Sequence, residues 1–154
     1  MTEEELRVKK IQEGTVIDHI TAGHALSVLR ILGLTGKEHT VVTVAMNVPS
    51  RRLKRKDIVK VENRELSADE VDKIALIAPN ATINIIRNYD VVEKQNAKLP
   101  KIIRGIITCD NLMCISNSNE PIQPIFFLER ETPLKLRCYF CNRILDKEAV
   151  IRQF

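Results

Sequence analysis

Cys109, Cys114, Cys138 and Cys141 are the chain's four cysteines, a C-x4-C pair and a C-x2-C pair separated by 23 residues. Two short-spaced pairs a loop apart let four thiolates converge on one ion, and Zn2+ takes sulfur in tetrahedral geometry. Two disulfides or four unrelated thiols are the competing arrangements. Disulfides need an oxidising compartment, and the amino terminus MTEEELRVKK carries no apolar signal segment, so a cytoplasmic setting is expected. A closed four-thiolate site has no open position for water. The pattern therefore predicts one structural Zn2+ per chain, serving folding rather than catalysis.

Other candidate chemistry is sparse. The histidines are His19, His24 and His39. His24 falls in a predicted helix and His39 in a predicted loop. His19 stands beside Asp18 in an otherwise apolar run, as either a hydrogen-bonded pair at a sheet edge or a polar ligand contact. The run RRLKRK, Arg51–Lys56, reads as a solvated loop. Lys56, Lys60 and Lys94 would form a triphosphate site if a sheet brought them together, since ammonium groups act as point charges toward phosphate. Spacing alone does not establish that convergence. Gly36-Lys37 lacks the rest of a phosphate-loop motif, and no H-E-x-x-H occurs.

These groups need elements to hold them. A hydrophobic content of 44% supports a core, and no apolar stretch is long enough to span a membrane. The net charge of +4 divides evenly, +2 in residues 1–100 and +2 in residues 101–154, and aromatic content is 4%. A nucleic-acid surface would concentrate charge and stacking rings.

Leu6–Ile11 reads as an edge strand, Thr15–Ile20 as a strand, and Ala22, Ala25, Leu26, Leu29 and Leu32 as a helix stopped by Gly33. Val41–Val48 is a β-branched strand, Asn47–Ser50 opens a loop, and Asp57–Glu62 is a further strand. Ser67-Ala68-Asp69-Glu70 is a capping box opening a helix that Pro79 ends. Thr82–Arg87 and Val91–Lys94 form a strand pair turning at Asn88–Asp90. This order fits an α+β, ferredoxin-like antiparallel sheet with two helices on one face. A polar boundary near 97/98 separates residues 1–97 from a small β domain, 98–154, with strands at Ile102–Thr108, Ile125–Leu128 and Leu134–Cys138. Such a small piece needs a metal staple.

Four stretches, GTVIDHI (14–20), RKDIVKVEN (55–63), APNATIN (78–84) and the cysteine pattern, together with NVPS (47–50) and NYDVVEK (88–94), carry a resemblance along essentially the whole chain. The chain resembles the regulatory chain of aspartate carbamoyltransferase, of pyrimidine biosynthesis. The resemblance implies a non-catalytic subunit. Its first domain binds nucleotide effectors of the CTP and ATP kind and pairs into homodimers. Its zinc domain docks on the catalytic chain, so that three regulatory dimers bridge two catalytic trimers, with no nucleic-acid or membrane partner.

By position, the resemblance assigns Asp18 and His19 to the nucleotide-contacting strand and Val8, Ile11 and Val16 to its apolar wall. It assigns Lys56, Lys60 and Lys94 to the phosphate side, and Asn84, Ile86, Tyr89 and Val91 to the base and ribose side. Lys9, beside Lys10, stands where one member of the family has an acidic residue, adds positive charge for a triphosphate and joins this set. Asn111, Asn142 and Arg143 fall on the surface that meets the catalytic chain, where Met113 and Asn142 depart from the polar or acidic residues of the family. Two other classes, a zinc-ribbon nucleic-acid module and a small nucleotide enzyme, are disfavoured. The first meets the even charge and few aromatics; the second lacks a nucleophile, a base constellation or an open metal site.

Overall fold

A computed structural model describes residues 10–154. The chain divides into two compact units, Met1–Ala97 and Lys98–Phe154. The first contains β1 (Gly14–Thr21), α1 (Ala25–Ile31), β2 (Val42–Ser50), β3 (Lys54–Glu62), α2 (Ala68–Ile77), β4 (Thr82–Arg87) and β5 (Asp90–Asn96). Its sheet runs β2-β3-β1-β4-β5, with every neighbouring pair antiparallel. That is the ferredoxin-like order with β5 added at one edge.

Strand alternation divides this sheet into two chemically different faces. Thr15, Ile17, Val59, Val61 and Ile83 are buried on the side of Val28, Ile74 and Ile77 from the two helices. Val16, Asp18, Ile58, Lys60, Asn84 and Ile86 alternate with them onto the helix-free face. β1 and β3 approach closely at Gly14. A Cβ there would lie 2.1 Å from the Val61 carbonyl oxygen, and φ is +137°, so only glycine fits.

The helices are tied down by side chains from elsewhere. Ser67 and Glu70 form the expected capping box of α2. The second Glu70 oxygen pairs with Arg64 at 2.5 Å, and Arg64 also donates to the Leu32 carbonyl at the end of α1, 2.8 Å away. At the start of α1, His24 supplies no side-chain cap. Asp57 on β3 does so instead: its Oδ2 accepts from Gly23 and Ala25 amides at 3.0 and 3.1 Å, and its Oδ1 from the Asn47 amide at 2.9 Å.

Several expected boundaries move. Asn47–Ser50 is not a loop but the continuation of β2 past a bulge, with Asn47 at φ +59°. Pro49 is accommodated because β2 is an edge strand. The basic run is a loop only over Arg51–Leu53; Lys54–Lys56 begin β3. The expected strand Leu6–Ile11 lies outside the described residues except for Lys10 and Ile11, which are not in a strand.

The second unit is a meander of β6 (Ile102–Arg104), β7 (Ile125–Arg130), β8 (Lys135–Cys138) and β9 (Ile144–Asp146), followed by α3 (Lys147–Ile151). β6 is shorter than expected because the chain turns at Gly105, φ +68°. Phe126, Ile103, Ile107, Leu136, Leu145 and Val150 form its small core. Among the described residues, no helix is long and apolar enough to cross a membrane.

Asp57 is fully buried and satisfies three amides at once. Each orphaned buried donor costs about 1–3 kcal/mol. Asp57→Ala should therefore destabilise the first unit by about 3 kcal/mol or more, and Asp57→Asn by less, in urea unfolding. A loss under about 1 kcal/mol for the alanine variant would show that Asp57 does not anchor α1 and the β2 bulge.

Candidate binding pocket and metal centre

The helix-free face of the first sheet carries a cavity of about 400 Å³. Ile11, Val16, Ile58, Ile86 and Val91 supply apolar wall, while Asp18, Lys60, Asn84 and Tyr89 supply polar atoms. Lys60 is only 6% exposed. Burial lowers its pKa from the ordinary lysine value, and the Asp18 carboxylate opposes that shift. A desolvated ammonium of this kind favours an anion.

A bulge in β1 brings Asp18 and His19 to the same place. The β1–β3 register shifts between Ile17 and Ile20, and His19 takes φ +56°. The His19 amide donates to Asp18 Oδ1 at 2.6 Å. Its Nδ1 lies 3.1 Å from the hydroxyl of Thr82, the cross-strand partner of Asp18. Lys56 Nζ reaches both Asp18 oxygens, at 2.9 and 3.2 Å. Burial lowers the His19 pKa; Asp18 opposes this, and Lys56, Arg52 and Lys94 add to it. The imidazole is thus neutral at pH 7, offering one donor and one acceptor. Asn84 is held by a bond from its amide to the Val16 carbonyl, 3.2 Å away.

Of the residues singled out in the sequence, the cavity wall gathers Ile11, Val16, Asp18, Lys60, Asn84, Ile86, Tyr89 and Val91. Three others stand beside it. Lys56 and His19 both reach it through Asp18, and Lys94 is the cross-strand partner of Asn84. Val8 and Lys9 lie outside the described residues.

Lys10, Ile58 and Asp90 also line the wall. Ile58 follows from its alternation with Lys56 and Lys60. Lys10 and Asp90 become neighbours of the site through tertiary bonds that no local pattern signals: Tyr89 donates its amide to the Gln12 carbonyl at 3.0 Å and Asn88 to Glu13 at 3.2 Å.

In the second unit the four cysteine sulfurs lie within 4.8 Å of one another. Cys109 and Cys141 sulfurs are 3.6 Å apart, and those of Cys114 and Cys138 are 3.7 Å apart. A tetrahedron of sulfurs at about 2.3 Å from one ion has edges of about 3.8 Å. All four cysteines are free thiols, not disulfides. Burial pushes Cys109 up to about 12 and raises Cys138. Cys141 is also opposed by burial, but hydrogen bonds from the Arg143 backbone and the Asn111 side chain bring it to about 7. Cys109 and Cys138, whose ionisation burial opposes, need a cation beside them to be held as thiolates. The donor set and its spacing fit a tetrahedral metal ion.

Asn111, Asn142 and Arg143 brace the two metal loops. Asn111 Oδ1 accepts from the Met113 amide at 3.1 Å, Asn142 at φ +63° accepts from Arg137 at 3.0 Å, and Arg143 pairs with Asp110 at 2.6 Å. Between Asn111 and Cys114, Leu112 and Met113 are 88% and 90% exposed. In the sequence Met113 stands out only as a departure from the family's surface residues, and no local signal marks Leu112.

Comparison with known proteins bears on both units. The family model "Aspartate carbamoyltransferase regulatory chain, allosteric domain" matches residues 6–98. The model "Aspartate carbamoyltransferase regulatory chain, metal binding domain" matches residues 101–151. A regulatory chain of that name from Methanothrix thermoacetophila is 57% identical over 147 residues, covering 96% of each chain. One from Korarchaeum cryptofilum is 53% identical over 97% of this chain and 96% of its own. One from Methanosphaera stadtmanae is 50% identical over the full length of both. With the sheet-face cavity inside the first match and the four-sulfur cluster inside the second, the chain belongs to the aspartate carbamoyltransferase regulatory chain family, as a non-catalytic subunit made of an allosteric domain and a metal-binding domain.

Proposed function

We propose that the allosteric domain binds nucleoside triphosphates of the CTP and ATP kind in the sheet-face pocket. The metal-binding domain holds one Zn2+ and carries the signal to the catalytic chain. The observation that carries this reading is the nearly buried Lys60 ammonium in a cavity with apolar walls, beside the Asp18–Lys56 pair. Lys60, Lys56 and Lys94 serve the phosphates. Asp18, His19, Asn84 and Tyr89 serve the sugar and base, and Ile11, Val16, Ile58, Ile86 and Val91 cover its faces. Val8 and Lys9 belong to the same set.

Regulation then follows from linkage. A nucleotide shifts the assembly only if it binds two assembly states unequally. The lysines meet a triphosphate that CTP and ATP share, so they give affinity with little discrimination. Base-edge hydrogen bonds and base size must carry the difference. Opposite effects require opposite preferences between states.

Zn2+ would neutralise and cross-link the thiolates of Cys109, Cys114, Cys138 and Cys141, a folding role. Leu112 and Met113, flanked by Asn111 and near Asn142 and Arg143 in the metal loops, offer the apolar and polar contacts for docking on catalytic trimers. Regulatory chains pair through their allosteric domains, in the cytoplasm, where four free thiols are stable.

Cys138→Ala should unfold the second unit and abolish assembly while nucleotide binding persists, as read by metal analysis and sizing. Native protein without zinc, or normal assembly of the variant, would contradict the zinc assignment.

Lys60→Ala should lower affinity for CTP and ATP about tenfold or more in calorimetry, the loss of a charge-assisted contact of roughly 1.5–3 kcal/mol. Before nucleotide binds, burial lowers the Lys60 pKa, whereas a bound triphosphate favours the ammonium. Parent affinity should thus fall as pH rises through that lowered value, before an ordinary lysine titrates. Binding there should take up a proton, seen as heats that differ between buffers of different ionisation enthalpy. Unchanged affinity in the variant would remove Lys60 from the phosphate site.

Isolated catalytic trimers should be active yet indifferent to nucleotides, and adding the full chain with Zn2+ should make their aspartate response nucleotide-dependent. A fragment of residues 1–100 should bind nucleotide and leave those kinetics unchanged. Nucleotide control from that fragment alone would show that the metal-binding domain is not the connection.

A further inference from the structure

The two cysteine pairs are closed by different means. In the C-x2-C pair the backbone suffices. The Cys138 amide donates to the Arg143 carbonyl at 2.9 Å, the Asn142 amide returns to the Cys138 carbonyl at 2.9 Å, and Asn142 takes the left-handed conformation that lets the turn close. The C-x4-C loop is two residues longer, and its backbone supplies one closing bond within the pair, from the Cys114 amide to the Asn111 carbonyl at 3.0 Å.

A side chain just beyond the loop makes up the difference. Asn117 Nδ2 donates to the Cys109 carbonyl and to the Asn111 carbonyl, both at 2.8 Å. The backbone amide of Asn117 donates to the Cys114 carbonyl at 2.9 Å. One residue thus touches the backbone of both cysteines of the pair. Its neighbour Ser116 places a hydroxyl 3.1 Å from Cys114 Sγ. The carboxamide of Asn117 is part-buried, with both its hydrogens used.

We infer that Asn117 is a positioning residue for the metal centre: it holds the C-x4-C loop in ligating geometry and thereby sets how long the metal is retained. Outer groups that orient metal ligands govern affinity by about 10–100-fold. Cys109 is the ligand most dependent on it, because Asn117 holds the Cys109 carbonyl directly, whereas the Asp110–Arg143 pair and the Asn111 bonds to the cysteine sulfurs tie the rest of that arm. A residue that merely terminated the short 3-10 turn at Ile115–Asn117 would need only its backbone amide. The side chain's two bonds go to the ligand loop instead.

The inference rests on reading the four sulfurs as a metal centre, and one experiment separates the two. The full chain is loaded with Zn2+, and release to an excess of a chromogenic chelator is timed. Parallel Co2+ loading reports ligand geometry through its visible bands. Asn117→Ala should release Zn2+ about tenfold faster or more than the parent and shift the Co2+ bands. Asn117→Gln, which keeps the donors on a longer arm, should fall between them, and it decides the matter if the alanine variant fails to fold. Asn119→Ala, an exposed asparagine two residues on, should match the parent. Equal release and identical Co2+ spectra for parent and Asn117→Gln, or for parent and Asn117→Ala, would overturn the role of Asn117 alone. A parent chain that takes up neither metal would overturn the metal centre itself.

Discussion

Backbone amides from two distant turns converge on one buried carboxylate, Asp57, and the allosteric domain is arranged around that convergence. Gly23 and Ala25 belong to the start of α1, and Asn47 to the bulge of β2. A strand slip of one residue would carry Asp57 to the open face and strand all three donors. The same bonds therefore pin the register of β3. With Asp57 facing the helices, its neighbours Lys56 and Ile58 face the other way, and Lys60 follows at the strand period. The pocket exists because the cap does. An anchoring demand on one side of the sheet fixes which side chains are available for binding on the other.

That arrangement puts opposing demands on the open face. Lys60 is held where burial disfavours its charge, and His19 occupies a conformation uncommon for a residue with a Cβ. Both are features a purely stabilising sheet would not select. On the proposed reading they have a use, since a triphosphate adds countercharge to that which Asp18 already gives Lys60. The Asp18–Lys56 pair limits this tension by placing a carboxylate between the lysines. Part of the gain from any bound anion is then set by how that pair rearranges. A pocket whose charges already compete for one carboxylate can distinguish ligands of equal charge by how they shift it.

Much of this was legible in the residues. Strand and helix order, the Ser67–Glu70 box and the convergence of the cysteines follow from alternation, capping chemistry and ligand spacing, all local signals. What escaped had non-local causes. Asn47–Ser50 looked like a loop because Pro49 and a polar run usually end strands, yet an edge strand with a bulge tolerates both. α1 is shorter than its apolar spacing suggested, and its cap sits on β3, which no local motif reveals. β9 and α3 were missed because a three-residue strand and a five-residue helix are too short for a period to show. The pocket residue Asp90 enters only through bonds between the 12–13 segment and the 88–90 turn, which also carry Lys10, legible in the sequence as added positive charge beside Lys9.

The two domains also solve the problem of stability differently. In the allosteric domain, two helices cover one face of a five-stranded sheet, which leaves the other face free for binding without loss of the core. The metal-binding domain has a four-stranded meander and one short helix, and its buried apolar side chains are few. A domain of that size gains from a cross-link what its core cannot supply. Placing the cross-link in two loops rather than in the sheet has a further consequence. The loop that carries Cys109 and Cys114 must also expose Leu112 and Met113, so the force that closes the metal centre is the force that shapes this exposed tip. Rigidity at the tip then depends on the bonds that hold the cysteine backbone, which is why a single asparagine beside the loop can matter more than its modest burial suggests.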